Sequence, residues 1–135
     1  MNTGSFLTHS ALVALGGAAG AWLRFVVGFA WLRGIGPIAA SAFPWATLSV
    51  NLIGSAAMGL LAGWLARHGH GGEEWRLLLG VGVLGGFTTF SAFSLEVVNL
   101  IQRGAPGMAL LYAGVSLTGG ILGLYMGLSL ARSLA

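Results

Sequence analysis

The stretch GGFTTFSAFSLE, residues 85–96, interrupts an apolar run with two glycines, four hydroxyls, three phenylalanines and a glutamate. A helix crossing lipid is built mainly from apolar side chains. Paired glycines followed by paired threonines make a poor helix interior, since both residue types favour other backbone conformations. The stretch therefore predicts a membrane helix that is broken near its middle. Irregular backbone at that depth is tolerated only where it is buried in protein or lines a cavity, and a discontinuous membrane helix frees carbonyls and amides that can hold ions.

The surrounding composition supplies the membrane. Of 135 residues, 56% are hydrophobic and 7% charged, and the mean hydropathy is +0.89. A soluble domain carries about a quarter charged residues, so this chain has too few to cover a water-facing surface. It contains no cysteine, lysine or aspartate, which excludes disulfide frameworks and thiolate metal sites. The six arginines are scattered singly, and the net charge is only +3; this is no nucleic-acid footprint. No basic n-region precedes the first apolar stretch, which is read as retained.

Four segments are long enough to span a bilayer, roughly 6–32, 44–67, 75–101 and 106–131, within a single domain. RGIGPIAASAFPW, RHGHGGEEWR and QRGAPG separate them. An even number of spans places both termini on one side. Arg67, Arg76 and Arg132 then lie on that side, and Arg33 and Arg103 on the other. So small a bias sets no firm orientation, and it invites two copies packed with opposite topology. Arg24 falls inside the first span, where an unpaired charge is costly; it either snorkels to the interface or serves a dimer contact.

Glycine recurs at four-residue spacing inside the spans, at 16 and 20, at 59 and 63, and at 119, 123 and 127. Small residues at that spacing let helix backbones approach closely. Four short spans enclose little interior, so glycine packing this dense points toward an oligomer. Asn51 lies deep in the second span, where lipid satisfies neither its donors nor its acceptor. It faces protein or a water-filled path, with Thr47 one turn away on the same face. Tyr112 and Ser116 form a second polar stripe on the fourth span.

Beyond the glycines, Phe90 and Phe93 share a helix face, with Ser91 and Ser94 beside it. Aromatic edges carry positive partial charge. Ring edges interleaved with hydroxyl donors make a surface suited to a small anion without any full positive charge. Packing is the plain alternative for a phenylalanine pair on a membrane helix.

Taken together, GGAAGAWLRF (16–25), TLSVNLIGSAAMG (47–59) and GVLGGFTTFSAFSLE (82–96) resemble the signature segments of the Fluc (CrcB-type) fluoride channel family. The resemblance covers essentially the whole chain. It implies an all-α, four-span membrane protein that forms an antiparallel, dual-topology homodimer in the cell membrane. Two pores per dimer would export fluoride passively. Phe90 and Phe93 match ring-edge contacts to fluoride, Asn51 the pore asparagine, and Ser91 and Ser94 hydroxyls beside the rings. Tyr112 and Ser116 resemble a fourth-span polar track. The carbonyls of Gly85 and Thr88 match those holding a structural Na⁺ at the dimer axis. Phe25 stands where the family often has tyrosine, and Ala92 where it often has threonine; no role is assigned to position 92.

Rival classes are a small proton-coupled multidrug exporter, for which Glu96 is the one embedded carboxylate, and a non-transporting assembly subunit. An enzyme is not expected, since no nucleophile–base pair appears. His68, His70, Glu73 and Glu74 sit in a glycine-rich loop with nothing to rigidify a metal site. Glu96 lies one turn beyond Phe93, and its role is left open between a hydrogen-bonded, a protonated and a pore-mouth carboxylate.

Overall fold

A computed structural model describes residues 3–67 and 72–134. His68 and His70 lie outside them. Four helical segments are long and apolar enough to cross a membrane: Thr3–Ala42, Trp45–Leu65, Gly72–Gln102 and Pro106–Ser133. The first is α1 and the second α2. The third divides into α3, made of Gly72–Trp75, Arg76–Leu84 and Gly85–Phe87, and α4, Phe90–Gln102. The fourth is α5, Pro106–Ser133.

The connection expected after residue 32 is largely helical. α1 continues to Ala42, interrupted only at Gly36 (φ 78°, ψ 165°). Glycine supplies the positive φ, and Pro37 then opens a new helical turn, where its fixed φ and missing N–H do no harm. The chain turns through Phe43 and Pro44 into α2. A second departure is the winding of Arg76–Leu84 as a π-helix, a wide-turned form that local sequence does not announce.

The break in the third span falls at Thr88 (φ −81°, ψ 161°) and Thr89 (φ −153°, ψ 125°), both extended. It does not fall at the glycines, because Gly85 and Gly86 are helical. A Cβ at Gly86 would collide with the backbone of Gly17. Gly86 therefore permits close approach of α1.

The same logic governs most of the spaced glycines. Side chains at Gly16 and Gly20 would meet the backbone of α3 at Leu78, Gly82 and Val83. Side chains at Gly59 and Gly127 would meet the backbone of α5 and α2 respectively, and one at Gly63 would meet Ala131. The chain thus forms two close pairs, α1 with α3 and α2 with α5. Because these glycines join helices of the same chain, they carry no argument for an oligomer.

The interior is small. Val50 and Tyr112 are the largest fully buried side chains among the described residues, and Phe43, Leu48, Leu100 and Ala109 pack with Tyr112 in the core. Leu7, Trp22, Phe25, Ile38, Leu110, Ile121 and Met126 face outward, as expected where the surrounding solvent is hydrocarbon.

A methyl group tests the backbone contact directly. Gly59→Ala would press its Cβ on the Leu124 carbonyl, whereas a Cβ at Gly114 meets nothing within 4 Å. Gly59→Ala is expected to destabilise the detergent-solubilised protein by about 1–3 kcal/mol. Gly114→Ala should leave the thermal unfolding midpoint unchanged or raise it.

Candidate functional site

The extended pair Thr88–Thr89 is held by several independent contacts. Asn51 on α2 binds Thr89 twice: its Nδ2 donates to the Thr89 carbonyl at 3.0 Å, and its Oδ1 accepts from the Thr89 N–H at 2.9 Å. The amide side chain therefore stands in for a neighbouring strand. Gly54, one turn further along α2, lacks the Cβ that would collide with the Thr88 methyl. Thr89 Oγ1 accepts from the Ala92 N–H at 3.2 Å and so caps α4. The Thr88 hydroxyl donates back to the Leu84 carbonyl at 2.9 Å.

Arg24 reaches the same place. Its Nη1 donates to the Thr88 carbonyl at 3.3 Å, so the embedded arginine is anchored within its own chain on backbone freed by the break.

The clamp sets the direction of α4 and of the rings at its start. Phe90 and Phe93 lie with centroids 5.6 Å apart. Phe90 is 76% exposed, while Phe93 packs on the core with its ring 5.2 Å from that of Tyr112. Tyr112 in turn meets the Phe43 ring edge-on at 5.6 Å.

A cavity of about 310 Å³ opens beside the break. It is lined by Asn51, Thr88, Thr89, Phe90, Phe93 and Ser116, together with Gly54, Ser55 and apolar residues of α2 and α5. The Ser116 hydroxyl is buried yet makes no hydrogen bond among the described residues, which is costly in a site without compensation. Asn51 keeps one amide hydrogen beyond the one given to Thr89.

The other residues singled out from the sequence stand outside this cavity. The Ser94 hydroxyl donates to the Phe90 carbonyl at 2.9 Å, and Ser91 shares a hydrogen bond with Thr89 Oγ1 at 3.3 Å. Gly85 is exposed. The Thr89 N–H that would close a helical turn onto its carbonyl binds Asn51 instead. Tyr112 is fully buried and donates to Glu96 Oε2 at 2.7 Å.

Glu96 thereby acquires a definite setting. Thr47 donates to its other oxygen, Oε1, also at 2.7 Å. The carboxylate is hydrogen-bonded from two helices, α2 and α5. It also borders a second cavity of about 180 Å³, shared with Ser41, Pro44, Asn99 and Arg103. Phe93, Tyr112 and Glu96 thus stand in succession between the two cavities. Sequence reading missed the partnership of Glu96 with Thr47 and Tyr112, although all three are polar groups inside spans and so in need of partners. It also missed Thr89, whose cap to Ala92 is visible only once the break is placed.

Residues 11–128 match the family described as CrcB-like protein, Camphor Resistance (CrcB). The chain belongs to the CrcB family. Among relatives of this CrcB-family chain, a protein of Novosphingobium aromaticivorans called fluoride-specific ion channel FluC is 57% identical over 129 residues, covering 96% of this chain and all of the relative. Proteins of the same name from Erythrobacter litoralis and Caulobacter vibrioides (strain NA1000 / CB15N) are 53% and 48% identical, over 91% and 90% of this chain and 91% and 93% of their own. With four helices fit to cross a bilayer, this CrcB-family member is a multi-pass membrane protein.

The clamp yields a measurable expectation. Asn51→Ala leaves the Thr89 N–H and carbonyl unpaired in a partly buried site, at about 1–3 kcal/mol for each unsatisfied group. Amide hydrogen exchange at Thr89 should accelerate about tenfold or more in this variant, while exchange within α2 away from position 51 stays slow.

Proposed function

We propose that this chain is a passive, fluoride-selective channel of the cell membrane. The observation that carries the reading is the cavity at the broken third span. There two phenylalanine rings, the Asn51 amide and the unbonded Ser116 hydroxyl converge with no charged side chain on the lining. The name shared by the relatives supports fluoride as the ion.

Fluoride is small and strongly hydrated, so a path through hydrocarbon must replace its water by donors. Neutral donors hold it loosely, and conduction requires sites that are weak or multiple. Asn51 would offer its second amide hydrogen, Ser116 its hydroxyl, and Phe90 and Phe93 their positive ring edges. Ser91, Ser94 and Tyr112 would extend the track by turning their hydroxyls away from present partners. The ring of Phe90, so largely exposed in one chain, supports a pore completed by a second copy. The nearly balanced arginines are consistent with that copy running antiparallel, with two pores per dimer and fluoride leaving the cytoplasm down its gradient.

The proposed structural Na⁺ fits the residues present. The carbonyls of Gly85 and Thr88 lie at the break, and backbone oxygen suits a hard cation. The Thr88 carbonyl accepts from Arg24 Nη1 over a long 3.3 Å contact, which a cation would have to displace. Two carbonyls do not complete a coordination shell, and an antiparallel copy would bring two more. Bound there, the ion would supply positive potential and order the two broken helices.

Purified protein in liposomes is expected to release fluoride rapidly, followed by a fluoride electrode, and to exclude chloride. Phe93→Ile, or loss of the Asn51 amide, should abolish the flux while the oligomer still elutes intact. Undiminished flux in both variants would refute the assignment.

A further inference from the structure

The second cavity, at the far side of Phe93 and Tyr112, holds a charge arrangement that the proposed conduction pathway does not explain. Its lining includes Glu96, a group that repels anions. The same lining includes Arg103, the residue immediately after α4. Among the described residues the ion pair is Arg76 with Glu73, so the Arg103 guanidinium makes no direct ion pair with Glu96 or another acid.

Arg103 is aimed from both ends. Its N–H donates to the Asn99 carbonyl at 3.0 Å, and Gly104, at φ 77°, turns the chain away immediately afterwards. The far end of the side chain is tethered by Nη1, which donates to the Ser41 carbonyl at 2.8 Å. Ser41 belongs to the last turn of α1, beyond the bend at Gly36. A guanidinium has five N–H donors, so one tether leaves most of them for the cavity. Asn99 lines the same space.

A cation at a helix C-terminus offsets the helix dipole, and that accounts for an arginine near this position. It does not account for a tether to Ser41, itself on the cavity lining, in a cavity that a carboxylate also lines.

We propose that Arg103, with Asn99, is the anion-capture station at the mouth of each pore. It raises the local concentration of fluoride and cancels the repulsion of Glu96 before the ion loses its water. This rests on the fluoride-channel reading and adds to it the residue that governs the rate of arrival. The guanidinium is exposed just beyond the end of α4, and a charge with access to water attracts without binding tightly enough to stall conduction. A capture charge acts through long-range potential, and such potentials change arrival rates by factors of about 10 to 1,000 in strongly focused clefts, falling with ionic strength.

Fluoride efflux from proteoliposomes at sub-saturating fluoride tests this, with wild type, Arg103→Gln and Arg103→Lys compared. Inert salt sets ionic strength to about 0.01 M, where the screening length is about 30 Å, or to about 1 M, where it is about 3 Å. Arg103→Gln should slow efflux roughly threefold to tenfold at low ionic strength, with the deficit closing at high ionic strength. Arg103→Lys should stay close to wild type in both.

A Gln variant indistinguishable from wild type at low ionic strength overturns the proposal. So does an equal deficit at both ionic strengths, or a Lys variant as slow as Gln, since a structural tether would behave that way. Should the Gln variant aggregate, Asn99→Arg adds charge to the same cavity. It is expected to speed low-salt efflux, and unchanged or slower efflux overturns capture. Failure of the wild type itself to release fluoride would instead remove the channel reading on which the inference stands.

Discussion

The middle of this chain depends on one pair of hydrogen bonds, those between the Asn51 side chain and the backbone of Thr89. A membrane offers no water to satisfy a broken helix. Two extended residues at that depth expose groups that must find partners, and a primary amide presents a donor and an acceptor in the geometry of a peptide. Asn51 therefore licenses the break. Gly54 makes room for it and Arg24 takes up the remaining Thr88 carbonyl. Remove the amide and the Thr89 N–H and carbonyl are left without partners at a depth where water does not replace them.

Two polar residues of α2 act as a pair with different tasks. Asn51 reaches the break, while Thr47, a turn earlier, reaches Glu96. Both bonds run to the third span, so α2 fixes α4 at its start and again farther along. Tyr112 closes the arrangement from α5 through Glu96. The half-buried carboxylate thus acts as a hub that joins α2, α4 and α5. The rival reading of Glu96 as an exporter's proton site needs a carboxyl open to a substrate chamber, and here both oxygens already accept a hydroxyl.

Much of this was legible in the residues. Four spans, the broken third segment, the face shared by Phe90 and Phe93, and the need of Asn51 for a protein partner all follow from composition, helical period and the cost of unsatisfied polar groups. What was not legible depended on contacts between distant segments. Gly85 and Gly86 read as helix breakers, yet they are helical, and the neighbour that explains Gly86 is Gly17 on another helix. Pro37 and its flanking glycines read as a loop, although proline is welcome at the first turn of a helix. The cavity lining separated Ser116 from Ser91 and Ser94, a distinction of side-chain direction that spacing alone does not make.

Where glycine faces backbone at Gly16, Gly20, Gly59 and Gly127, two helices touch with no side chain between them. Ordinary packing cushions a shift by changing rotamers, and a peptide plane has none to change. The distance between such helices is consequently stiff. Walls of this kind cannot breathe, and the least compressible contacts a polypeptide builds are those from which the side chains have been left out.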